Sequence, residues 1–153
     1  MRIVVGADHA GVSARVHLVS WLRRRGHEVF EVGAPTAMAY DYPLAADQAV
    51  AKIRAGAAEY GVLICGTGIG MAIRANRYIG IRAANCTDVL MARAARSHNH
   101  ANVLCLGART LEEENQEAIL ESFLNTDEDQ DPRHERRVEE LDHPMPGMQA
   151  VRS

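Results

Sequence analysis

The chain has 153 residues, 47% of them apolar, and a net charge of -3. That length suits one compact domain with a real core, and the weak negative charge leaves no electrostatic case for nucleic acid as a partner. No stretch is apolar for long enough to span a bilayer; Met1-Arg2 runs straight into a strand pattern, so neither a signal peptide nor a membrane partner is expected.

The first strand is read at residues 2–6, Arg2-Ile3-Val4-Val5-Gly6. A helix follows over residues 11–25, with Val12, Val16, Val19 and Leu22 at helical spacing and Gly26 as its stop. Its basic end, Arg23-Arg24-Arg25, reads as a solvated helix C-terminus. Residues 28–32 form a second strand, and a loop with Pro35 and Asp41-Tyr42-Pro43 leads to a helix over residues 44–55, ended by Gly56. Strand three spans residues 60–64 and helix three residues 68–77. A fourth strand covers residues 81–85, and a fourth helix covers residues 87–97 with Thr87 as N-cap. Strand five spans residues 102–106. Thr110-Leu111-Glu112-Glu113 has capping-box spacing and opens a helix to about residue 124. After the acidic loop 127–131, Pro132 starts a short basic helix to about residue 141. Residues 1–141 are read as the domain and residues 142–153, with Pro144, Pro146 and Gly147, as a loose tail.

Strands alternating with helices imply an α/β fold: a five-stranded parallel sheet with helices on both faces, joined by right-handed crossovers. Ligands on such sheets bind beyond the C-terminal ends of the strands. Asp8 and His9 follow strand one, Asp41 and Tyr42 lie beyond strand two, Cys65 and Thr67 follow strand three, and Arg109 follows strand five. His98 and Asn99 precede strand five, so they start from the opposite edge and are placed to reach a neighbouring subunit.

The densest glycine run is Cys65-Gly66-Thr67-Gly68-Ile69-Gly70. It is neither a G-x-G-x-x-G dinucleotide fingerprint nor a Walker A loop, since Ile73 stands where a further glycine would and no Gly-Lys-Ser/Thr follows. A tight turn that needs glycine only for its backbone angles is one reading. With Cys65 and Thr67 inside it, a loop that stabilises an anion at a helix start is the stronger one. Such a position lowers a thiol's pKa, and the turn is expected to expose the Cys65 sulfur to the cleft. Cys86 and Cys105 read as buried structural thiols, and all three cysteines as reduced. His98-Asn99-His100 lacks a third ligand at a helpful spacing, so no metal is expected. His98 suits acid/base work because an imidazole titrates near neutrality. Arg133 and Arg137 share one face of the last helix, with His134 and Arg136 on others; two forked guanidiniums suit a phosphate, as does Arg109.

Taken together, Asp8-His9-Ala10-Gly11, Asp41-Tyr42-Pro43, the run from Ile64 to Met71, Gly80-Ile81-Arg82-Ala83-Ala84, His98-Asn99 with Ala101-Asn102-Val103-Leu104, and Arg133-His134 with Arg136-Arg137-Val138 resemble type B ribose-5-phosphate isomerase over about residues 1–141. The broader group includes galactose-6-phosphate isomerase subunits. The resemblance implies a single Rossmann-like domain, a cytoplasmic homodimer or dimer of dimers with sites at the subunit interface, and no cofactor. It implies interconversion of D-ribose 5-phosphate and D-ribulose 5-phosphate within the pentose phosphate pathway. Cys65 matches the base, in the cysteine branch of the family rather than the branch with glutamate at the position of Met71. His98 matches the ring-opening residue, and Thr67 with Gly66, Gly68 and Gly70 the groups around the reacting carbonyl. His9, Arg109, Arg133 and Arg137 match phosphate contacts, and Asp8, Tyr42 and Asn99 other substrate contacts. Many relatives have His-Asn-Asp where His100 stands here, so galactose or allose 6-phosphate, or a tetrose phosphate, remains an alternative substrate. A thiol hydrolase using Cys65 with His98, or a nucleotide- or flavin-binding module, are the other classes.

Overall fold

Five short apolar runs become the strands: β1 (Arg2–Ala7), β2 (Glu28–Gly33), β3 (Tyr60–Cys65), β4 (Ala83–Asn85) and β5 (Val103–Gly107). All pair in parallel, in the order β2-β1-β3-β5-β4. This computed structural model describes residues 1–147. The helices are α1 (Val12–Arg24), α2 (Tyr42–Arg54), α3 (Ile69–Ala75), α4 (Val89–Ser97), α5 (Glu113–Asn125) and α6 (Pro132–Asp142), with a 3-10 turn at His9–Gly11.

Alternation along each strand sorts the core into two layers. Ile3, Val5, Val62, Ile64, Leu104 and Leu106 face α1, α4 and α5, where Leu18, Leu22, Ala92, Leu120 and Phe123 are buried. Val4, Leu63, Cys65, Val103 and Cys105 face α2 and α3, against Ala45, Ala46, Ala49, Met71 and Ala75. The chain runs from β1 outward to β2 and returns to the other side of β1 as β3. The C-terminal ends of β1 and β3 therefore flank a topological switch point.

Several local expectations are corrected. Val16 is 60% exposed, because the buried stripe of α1 runs through Ala14, Leu18, Val19, Trp21 and Leu22; Val19 and Leu22 face the core as expected and Val16 does not. Helix three ends at Ala75, and β4 is limited to three residues. Asp88, not Thr87, caps α4: its carboxylate accepts from the Met91 N–H at 2.8 Å, a better acceptor than a hydroxyl. The capping box at Thr110 does not form; Thr110 Oγ1 donates to the Gly107 carbonyl and Glu112 is the N-cap. Of the expected tail, residues 148–153 lie outside the described residues, and Asp142 is the last residue of α6, tied to Arg82 at 2.6 Å. Among the described residues, no helix is long and apolar enough to cross a membrane.

Candidate active site

β3 delivers Cys65 to the C-terminal edge of the sheet, next to the switch point. Hydrogen bonds from the Asp8 N–H to the Ile64 carbonyl (3.2 Å) and from the Ala108 N–H to the Cys65 carbonyl (2.8 Å) lock the ends of β1, β3 and β5 together. The chain then turns back over β5. Gly68 sits at φ +81°, and a Cβ there would lie 2.5 Å from Asn85 Oδ1 and 3.0 Å from the Leu106 carbonyl carbon. The turn therefore needs glycine both for its backbone angle and for the contact. In that conformation the Gly68 N–H donates to Cys65 Sγ at 3.2 Å, and the Ile69 N–H donates to Thr67 Oγ1 at 3.3 Å.

The sulfur is less open than expected. Cys65 is 5% exposed, because its side chain shares the inward layer with Leu63, Met71 and Cys105 instead of leaning into the cleft. Cys105 is fully buried and its thiol is pushed well up by desolvation, then by Cys65 and Cys86; burial, with Asp88 second, raises Cys86 to about 11. Both fit the structural role expected of them.

Four further expected residues gather at this edge. Arg109 lies over Gly66, where an added Cβ would meet Nη1 at 3.3 Å, and its N–H donates to the Gly66 carbonyl at 3.0 Å. Tyr42, the first residue of α2, presses its ring on Gly70, where a Cβ would stand 2.6 Å from Cε2. His9 Nδ1 sits 3.2 Å from the Tyr40 carbonyl and 3.3 Å from its nitrogen, so the 35–41 loop holds the imidazole. Asp8 is buried, and Oδ1 accepts from the N–H groups of Ala10 and Gly11 at 2.9 and 3.1 Å, which commits one oxygen to capping the 3-10 turn.

His98, Asn99, Arg133 and Arg137 lie at the other edge. His98 caps the C-terminus of α4, just before β5 begins. Four residue steps along β5 put that edge about 13 Å from the Cys65 edge. One chain therefore does not bring His98 to Cys65. Arg133 and Arg137 are exposed on the outer face of α6, Arg133 pairing with Asp131 at 3.4 Å.

Two residues at this second edge were not singled out from the sequence. His134 is 7% exposed on the inner face of α6, and its ring stacks on His98 with centroids 4.5 Å apart and planes 32° apart. Asp129 Oδ2 lies 3.0 Å from His134 Nδ1. The Asp131 N–H, and after it His134, hold the Asp129 carboxyl below the usual carboxylate range. His100, at φ +48°, places Nε2 3.2 Å from the Asp129 carbonyl. One donor atom each from His98, Asp129 and His134 lies within 4.8 Å of the others. The ring contact of His98 is with His134, 36 positions along the chain.

Residues 3–141 match the family model for ribose/galactose isomerase. The chain is 36% identical to ribose-5-phosphate isomerase B of Escherichia coli over 92% of its own length and 93% of that protein. It is 37% identical to D-erythrulose-4-phosphate isomerase of Pectobacterium atrosepticum, covering 83% and 84%. Among solved structures, a ribose 5-phosphate isomerase from Thermotoga maritima superposes with a TM-score of 0.90 at 42% identity, over 92% of this chain and 97% of that one.

Proposed function

The chain belongs to the ribose/galactose isomerase family, and from that premise we propose that it interconverts D-ribose 5-phosphate and D-ribulose 5-phosphate with Cys65 as the base, in sites assembled from two copies of the chain. The observation that carries this reading is the Cys65 sulfur at the end of β3, hydrogen-bonded by the Gly68 N–H and flanked by Thr67 and Arg109. The Gly68 N–H fixes the position of the sulfur at the start of the glycine loop. Slight exposure of that sulfur suits removal of a hydrogen better than a bulky acyl adduct, and within one chain Cys65 and His98 form no hydrolase pair.

The reaction begins on a furanose. His98 of the second copy takes the O1 proton; the C1–O4 bond breaks as C1=O forms, and the same proton goes to O4. Cys65 thiolate then removes the C2 hydrogen as a proton, giving a cis-enediolate with charge on O1. The O2 proton passes to O1, which moves the charge to O2, and the thiol then returns a proton to C1 as the carbonyl forms at C2. The Gly68 and Ile69 N–H groups are spent inside the loop, on Sγ and on Thr67 Oγ1. Stabilising the enediolate therefore falls to the Thr67 hydroxyl, whose own proton is free to donate, and to the remaining loop amides. His9 and Arg109 on one copy, with Arg133 and Arg137 on the other, grip the phosphate and supply orientation.

Mixing variants tests the assembly. Cys65→Ala and His98→Ala are each expected to be inactive. After joint refolding, half the dimers are mixed and carry one intact site out of two, so about a quarter of wild-type turnover should return. No recovery would refute the shared site. Ribose 5-phosphate should give the highest kcat/KM among four-, five- and six-carbon aldose phosphates. A tetrose phosphate is the second reading, favoured by the likeness to the erythrulose-phosphate enzyme.

A further inference from the structure

The array behind His98 has a role that the residues expected to touch substrate do not cover. His98 is exposed at the C-terminal end of α4, where an imidazole alone would sample several rotamers. Three contacts prevent that. The His134 ring lies against it. Asp129 holds His134 through Nδ1 at 3.0 Å. The Asp129 N–H donates to the Ser97 carbonyl at 2.9 Å, the residue just before His98, which closes the brace on the same helix end. His100 fastens the Asp129 carbonyl from the other side, while Glu128 faces both Arg96 (3.2 Å) and His100 (3.7 Å). A buried imidazole whose Nδ1 faces a carboxylate donates from that nitrogen, which fixes the orientation of the ring.

We propose that Asp129 and His134 are positioning residues for ring opening, holding His98 in the orientation that relays the proton from O1 to O4. This rests on the reading of His98 given above. Neither residue is assigned a proton transfer of its own, and the relay needs no co-reactant, since the proton that leaves O1 is the one that reaches O4.

Chemistry separates ring opening from proton abstraction. D-Ribulose 5-phosphate has no furanose form, because O5 carries the phosphate. Exchange of its C1 hydrogen with D2O therefore needs Cys65 but no ring opening. Net conversion of D-ribose 5-phosphate needs both. In Asp129→Asn and His134→Ala, ribose 5-phosphate turnover should fall roughly 10- to 100-fold while C1 exchange stays within about twofold of wild type. His98→Ala should abolish ribose 5-phosphate turnover, and adding Asp129→Asn to it should change nothing further. Cys65→Ala should lose both activities.

Exchange falling in step with turnover would overturn the proposal, as would turnover left intact. If His134→Ala fails to fold, Asp129→Asn decides the matter, because that carboxylate is 45% exposed and the amide keeps its shape. A wild-type enzyme that ignores ribose 5-phosphate but turns over a hexose phosphate would refute the ribose reading alone, and the same comparison on that sugar would judge the brace. Preference for a tetrose phosphate, which has no ring to open, would overturn both.

Discussion

Gly68→Ala strikes the contact on which the sulfur's environment depends, and its cost is calculable. The new methyl would stand 2.5 Å from Asn85 Oδ1, 3.0 Å from the Leu106 carbonyl carbon and 3.1 Å from the Leu106 nitrogen. The amide of Asn85 can swing away, but Leu106 lies within β5, paired to Ile64, and its backbone cannot. The left-handed backbone adds about 1 kcal/mol for an L-residue, partly offset by a stiffer unfolded chain. Gly56→Ala shares both of those effects: it sits at φ +70° with nothing within 4 Å of the added Cβ. Subtracting one variant from the other leaves the overpacking alone, of order 1–3 kcal/mol. A middle value of about 2 kcal/mol should set Gly68→Ala roughly 4–8 °C below Gly56→Ala in thermal melts followed by circular dichroism. Relief of the clash moves the Gly68 N–H off Cys65 Sγ, so turnover should fall in the first variant and persist in the second. Adding Asn85→Ala to Gly68→Ala should recover only part of the loss, since the contact with Leu106 remains. Equal melting temperatures and equal turnover for the two glycine variants would refute the claim that this turn is packed on β5 and holds the thiol.

Asp47 accepts from Arg74 at 2.7 and 2.8 Å and from the Tyr78 hydroxyl at 2.7 Å, tying α3 to α2, and Arg74 above all holds its carboxyl below the usual range. A depressed carboxylate stabilises the fold above its unfolded pKa and loses that contribution as pH falls through the folded value. Asp47→Asn should therefore melt below wild type at neutral pH, with the gap closing from about pH 4 downward; a gap independent of pH would count against the ion pair. Arg137→Ala, an exposed change on α6, should raise KM for the sugar phosphate several-fold, on the order of one charge-assisted hydrogen bond, and leave Tm unmoved. Unaltered saturation kinetics would remove Arg137 from the phosphate site.

The strands and helices were legible because their information is local. Continuous apolar runs such as Ile3-Val4-Val5 fit a sheet buried on both faces, and glycine stops mark where helices must end. The glycine loop was legible for the same reason, and so was the placing of His98 away from Cys65, which follows from chain order in any parallel sheet. The missed features depend on contacts between distant segments. Whether the sulfur opens to solvent is decided by how Met71 and Ala46 close the layer below it, not by the turn that carries it. The inward face of α1 is carried partly by Ala14, too small to stand out beside Val16. His134 reads locally as one more residue of a basic helix; only folding lays it on His98. The caps failed more narrowly, because Thr87 and Asp88 are adjacent candidates and the carboxylate won.

The division of the site between two edges has a physical consequence of its own. The thiol ends β3 and the imidazole ends α4 at the opposite edge of the sheet, so on the two-copy reading proposed above a single chain would not carry out both ring opening and proton transfer on one sugar. What the fold makes rigid is each half separately: Gly68, packed on β5, holds the sulfur's donor in place, and Asp129, bonded to Ser97 and His134, holds the imidazole. Both halves are braced by contacts within their own chain, so in the shared site proposed above association would have only to bring two finished surfaces together. Variants that weaken association should therefore lose turnover in proportion to the dimer they lose, with kcat per remaining dimer unchanged.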